Sequence, residues 1–192
     1  MAPTTASLLD LALAAFHSAK TPAPFNPGFN ISAVYEVAKA LPSHSWEFGA
    51  ATQALLEYES PLLSVYGPNP FPVRKHDPAT VPALAYAQEK IVVGTGIDGL
   101  SPSAGAVGDP ASLVVGAWML GKTNETFATA TKSEVDYVLN DAPRYANGAI
   151  SQRGDVGELW ADYVWMFPPS LAFYAADIGD VDLLELAYRD HL

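Results

Sequence analysis

Between Asn147 and Tyr174 the chain reads NGAISQRGDVGELWADYVWMFPPSLAFY, and this stretch holds the residue types best suited to chemistry. Asp162 is the only ionisable acid between Leu159 and Pro169, set among Trp160, Val164, Trp165, Met166 and Phe167. A carboxylate on a helix that is apolar on nearly every side is expected to be desolvated, which raises its pKa and suits it to donating a proton. On a helix from about Asp155 to Phe167, Asp155, Glu158 and Asp162 line one face, and their mutual repulsion favours the protonated form of the innermost. Trp160 and Trp165 offer flat apolar faces of the kind that stack on sugar rings, and Arg153 offers a fork for a carboxylate. The same residues admit a structural reading. Asp155 and Glu158 favour a helix N-terminus, Asp162 pairs with an arginine, Arg153 pairs with Asp155, and the tryptophans fill a core.

Other chemical patterns are weaker. Gly94-Thr95-Gly96-Ile97-Asp98-Gly99 follows Ile91-Val92-Val93 and has dinucleotide-binding spacing. Pro102, Gly105 and Gly108 prevent the helix that would receive a pyrophosphate, so a Gly-rich turn or hairpin is expected. His17, His44, His76 and His191 lack metal-ligand spacing, and no metal or cofactor is expected. The absence of cysteine excludes disulfides, zinc ribbons, iron–sulfur clusters and thiol catalysis. Ser101 and Ser103 lie in a Pro-broken loop and form no nucleophile elbow. With 10 Lys and Arg against 21 Asp and Glu, the net charge of -11 argues against nucleic acid as a partner. No apolar run approaches the roughly 20 residues that span a bilayer, so no membrane association is expected. Leu8 to Ala15 is interrupted by Asp10 and reads as a helix, not a secretory signal. The Asn-x-Ser/Thr triplets at Asn30 and Asn124 leave the compartment open.

The elements that must position these groups are helical. Apolar periodicity and cap residues predict helices over Thr4–Ala19, Ser32–Leu41 and Ser45–Glu59, the last with Trp46 among its packing residues. A long Pro/Gly-rich irregular insertion over 61–108 follows, with a short helix near Leu84–Glu89. Asp109 is read as an N-cap opening Ala111–Leu120, with Gly121 as its left-handed stop. Thr123 caps a helix through Leu139, and the Asp155–Phe167 helix is broken by Pro168-Pro169. Ser170–Asp177 resumes, and Asp180 caps a last helix reaching Leu192. The expected fold class is all-α, one helical domain of hairpins over 1–192.

Read with Asp109-Pro110-Ala111-Ser112 and Gly121-Lys122-Thr123-Asn124, the stretch resembles the six-hairpin glycosidase superfamily. It is most similar to the unsaturated glucuronyl and rhamnogalacturonyl hydrolases of glycoside hydrolase families 88 and 105. The matching residues are Gly148, Gln152-Arg153, Trp160-Ala161-Asp162, Trp165-Met166 and Pro168-Pro169. The resemblance implies an (α/α)6 barrel and hydration of a vinyl ether. An aspartate protonates C4 of a 4,5-unsaturated uronic acid and activates water that adds at C5, and the hemiketal then releases the neighbouring sugar. It places Asp162 as acid and base, a second family aspartate near Asp109, and Trp160, Arg153, Gln152 and Trp165 against the oligosaccharide. Family members are often extracellular. Gln152 stands where the family has histidine, and the chain is about half as long as a twelve-helix barrel requires. The resemblance therefore implies the N-terminal portion of an incomplete toroid. The alternative is a truncated, catalytically inactive helical remnant that binds a carbohydrate or a protein partner. A protein of this charge repels an anionic uronate unless Arg153 makes the pocket locally positive.

Overall fold

The computed structural model describes residues 26–189, and the regular structure among them is helical, with no strand. The expected Thr4–Ala19 helix, His17 and the last residues, including His191, lie outside the described residues. Two compact units divide the chain, residues 1–34 and 35–192. In the described part of the first, Asn26 Oδ1 accepts from the Gly28 N–H at 2.9 Å and Asn30 Oδ1 from the Ala33 N–H at 3.1 Å. The second contact caps helix α1 (Ile31–Ala40).

The second unit is organised by a helix with no charged side chain, α5 (Val114–Gly121), whose residues 114 to 120 are all buried. A helix that is apolar on every side must be covered on every side. Helices α2 (Ser45–Glu59), α3 (Pro82–Lys90), α6 (Glu125–Asn140) and α8 (Pro168–Ile178) pack around it. Successive helices also pair, α2 with α3, α5 with α6, and α8 with α9 (Val181–Arg189), as helical hairpins do. Gly116 lets α2 and α3 approach, since a Cβ there would lie 3.0 Å from Thr52 Cγ2 and 3.1 Å from Ala87 Cβ. Two four-residue helices, α4 (Gly108–Ala111) and α7 (Tyr163–Met166), lie on the way to the candidate site. No helix among the described residues is long and apolar enough to cross a membrane.

Several boundaries differ from the sequence expectation. The 61–108 stretch is less irregular than its prolines suggest. Helix α3 contributes Ala83, Leu84, Tyr86 and Ala87 to the core, and short 3-10 turns occupy Pro61–Leu63, Pro78–Thr80 and Gly96–Asp98. Gly121 is not a left-handed stop. It is a glycine because α6 packs closely against the end of α5, where a Cβ would meet the Ala128 Cα at 2.8 Å. Asn124, not Thr123, caps α6, accepting from the Thr126 N–H at 3.0 Å. Asp180 caps α9 as expected, and Gly179 ends α8 at φ +73°. The Gly94–Gly99 stretch is a closed turn, with the Gly94 N–H donating to the Gly99 carbonyl at 3.0 Å.

Under that turn lies Glu134 of α6, fully buried, with no side-chain donor or cation among the described residues on either carboxyl oxygen. A Cβ on Gly99 would come within 2.2 Å of Glu134 Oε2, so backbone closes over the carboxyl. Burial, reinforced by the charge of Asp98, pushes its pKa up to about 8, and the Leu100 N–H offsets this only in part. Because the folded pKa exceeds the ordinary value of 4.5, the folded chain holds the extra proton. Stability is then full below that value and is lost as pH rises through about 8. Glu134→Gln is expected to flatten the pH dependence of the unfolding free energy across this window, measured by chemical denaturation at a series of pH values. Parallel curves for the two proteins would refute the assignment.

Candidate active site

Ser45 opens α2 and Asp109 lies in the first turn of α4, and the fold brings Ser45 and Gln152 onto Asp109. Ser45 Oγ donates to Asp109 Oδ2 at 2.9 Å, and Gln152 Nε2 donates to Asp109 Oδ1 at 3.1 Å. All three side chains are buried, Asp109 to 3% exposure. Asp109 is therefore not an N-cap. Its carboxyl turns inward to two side-chain donors, and its main-chain carbonyl accepts from Ser112 Oγ at 2.6 Å. Burial pushes the Asp109 pKa upward, the bonds from Ser45 and Gln152 pull it back, and the nearby charge of Asp162 adds to the rise. The net direction is up.

Gln152 is held from both sides. Its carbonyl accepts from the Val107 N–H at 2.7 Å, and its N–H donates to the Glu158 carbonyl at 2.9 Å. Gly108 leaves space for its amide, since a Cβ there would sit 2.3 Å from Gln152 Oε1. Residues 151–160 therefore run as an irregular segment, and the helix expected from Asp155 does not form. Two glycines explain the difference. A Cβ on Gly154 would strike Ile97 Cδ1 at 2.2 Å, and one on Gly157 would reach the Arg144 carbonyl oxygen at 3.0 Å. Close backbone packing at both positions replaces helical hydrogen bonding. Asp155, Glu158 and Asp162 consequently share no helical face. Arg153 Nε pairs with Asp155 at 3.3 Å, and Glu158 Oε2 accepts from Trp160 Nε1 at 3.0 Å. Asp162 precedes α7 and is exposed, so the desolvated environment expected for it belongs instead to Asp109.

Asp109, Gln152, Arg153, Trp160 and Asp162 nevertheless line a single cleft of about 380 Å³. Trp46 joins them at 43% exposure, its ring stacked on His44 with centroids 4.3 Å apart. Trp165 does not reach this cleft and lines a different cavity. Sequence reasoning missed Ser45, which read only as a helix start, and placed Trp46 in packing. It also missed the wall formed by Ser103, Ala104 and Ala106. Ala104 adopts φ +50°, a left-handed conformation unusual for alanine, and its carbonyl accepts from Arg153 Nη1 at 3.5 Å. Gly105 follows at φ +85°, and a Cβ there would lie 2.9 Å from Arg153 Nη2. Ser103 anchors this wall, donating through N–H and Oγ to Asp98 Oδ1, each at 2.8 Å. The arrangement can hold one proton on a buried carboxyl while an exposed carboxyl, a guanidinium and two indole faces meet a ligand.

The chain matches no family model, no curated protein and no solved structure.

Ser45→Ala removes one of the two side-chain donors to Asp109 and is expected to cost about 1–3 kcal/mol in chemical denaturation. In an Asp109→Asn background the same substitution should cost less, because the two residues act as a pair. Equal losses in both backgrounds would show that Ser45 acts independently of Asp109.

Proposed function

We propose that the chain is a glycoside hydrolase-like enzyme acting on unsaturated uronic-acid oligosaccharides of the pectin or rhamnogalacturonan type. On this reading its helical hairpins are part of an (α/α)6 barrel. The observation that carries the proposal is the convergence of Asp109, Gln152, Arg153, Trp160 and Asp162 on one cleft, although 53 residues separate the first from the last.

The site suggests a division of labour. Asp109, whose burial keeps its proton to higher pH, donates it to C4 of the vinyl ether. Asp162, exposed in the same cleft, accepts a proton from the water that bonds to C5. The C4–C5 double bond becomes a single bond bearing a new hydrogen and a hydroxyl. The resulting hemiketal collapses and frees the neighbouring sugar, and solvent returns the carboxyls to their starting protonation. Trp160 and Trp46 supply faces for the sugar ring. Arg153 meets the uronate carboxylate by exchanging its contact with Asp155, which places positive charge where an acidic protein otherwise repels the substrate.

A lyase-generated unsaturated disaccharide should lose its vinyl-ether ultraviolet absorbance on incubation with the protein. Asp109→Asn and Asp162→Asn should each lower kcat by about 10²–10⁴-fold. Because the donor must be protonated, the rate should fall as pH rises through the elevated pKa of Asp109, and Asp109→Asn should abolish that limb. An active enzyme in which either substitution leaves the rate unchanged would overturn that residue's assignment.

A further inference from the structure

Trp165 lies one turn beyond the cleft. Asp162, the residue before α7, lines the cleft, whereas Trp165 within α7 lines a second cavity of about 240 Å³. The two cavities flank the same helical turn, the two residues being about 4.5 Å apart along its axis. Tyr66 and Trp165 border the second cavity at 80% and 41% exposure, over a floor that includes the buried ring of Phe173. Gln53 also lines it, and its Nε2 is a buried donor with no hydrogen-bond partner among the described residues. Such a donor costs stability until an acceptor reaches it. Among the described residues, Glu57 is the only charged side chain in the lining.

We propose that this cavity is a second sugar subsite, which takes a neutral pyranose of the same oligosaccharide whose unsaturated end occupies the cleft. The inference rests on the glycoside reading above. The indole of Trp165 and the phenol ring of Tyr66 cover the apolar C–H face of the ring. Gln53 Nε2 donates to a hydroxyl oxygen, and Glu57 accepts from another hydroxyl. Glu57 also sets the charge preference, because an anionic uronate here would meet a carboxylate with no cation among the described lining residues. A second copy of the chain is a poor occupant, since two molecules of charge -11 repel. The enzyme therefore favours longer oligosaccharides that carry a neutral sugar beyond the first disaccharide.

The test uses the full chain with three probes: an unsaturated uronyl disaccharide, the corresponding tetrasaccharide with alternating neutral sugars, and a carboxyl-reduced neutral tetrasaccharide. The four tryptophans give four indole N–H resonances, assigned by substitution. The Trp160 resonance should move with both unsaturated probes and that of Trp165 with the tetrasaccharides only. The unsaturated tetrasaccharide should bind about tenfold tighter than the disaccharide. Tyr66→Ala, Trp165→Ala and Gln53→Leu should each erase that advantage and leave disaccharide affinity intact. Movement of Trp160 with equal affinities and a silent Trp165 would overturn the subsite and spare the cleft. A silent Trp160 with Trp165 responding to the neutral probe would overturn the cleft reading and keep a neutral-sugar site. Movement of Trp165 with protein concentration alone would assign the cavity to a second copy and overturn the subsite, as would silence of both resonances.

Discussion

Helix α5 has no face it can show to water, and the arrangement of the second unit follows from covering it. Burying a large aliphatic side chain contributes about 1.5–3 kcal/mol. A helix with Val114, Val115, Met119 and Leu120 all buried therefore commits its neighbours to one arrangement. Gly116 permits α2 and α3 to close on one side, and Gly121 permits α6 to start close to the end of α5. With α2 fixed, Ser45 stands where Asp109 can reach it, and with α5 fixed, α4 immediately before it is fixed as well. The cleft is thus assembled at the margin of the covered helix.

Three buried carboxyls show how an acidic chain settles negative charge inside itself. Asp177 has an ion pair with Lys122 and accepts from Trp118 Nε1 at 2.7 Å and from the Val73 N–H at 2.5 Å. Burial alone would raise its pKa, but these donors outweigh it and leave Asp177 below the usual range. Asp109 has two uncharged donors, which only partly counter its burial. Glu134 has no side-chain donor among the described residues, only the nearby Leu100 N–H, and takes up a proton instead. The gradation follows the strength of the partners, since charge-assisted bonds are roughly twice as strong as neutral ones. The carboxyl with the intermediate arrangement is the one that faces the cleft.

Where local chemistry decided an element, the residues announced it. Ser45–Glu59 begins and ends as the apolar pattern indicates, Asp180 caps α9, and the all-α class is evident from periodicity. Where tertiary packing decided, local signals misled. Gly154 and Gly157 were compatible with a helical tail carrying acids at helical spacing, but each is a glycine because backbone or side chain lies against it. Asp109 before a proline has the form of a cap, and only the approach of Ser45 from 64 positions earlier turns it into a buried acid. The site residues were recognisable by type, while their surroundings depended on contacts that no local window contains. The exchange between Asp109 and Asp162, one buried and one exposed, is the clearest instance.

The contact between Val73 and Asp177 closes a span of 104 residues in a chain with no cysteine to do so covalently. During synthesis the polypeptide emerges at about 5–20 residues per second. The proline-rich segment around Val73 therefore waits on the order of 5–20 s on the ribosome before its anchor exists. In the later part of that interval α5 has emerged but α8 has not, so an incompletely covered apolar helix and an untethered loop coexist on the nascent chain. Chaperone demand should concentrate in that interval and end when Asp177 arrives.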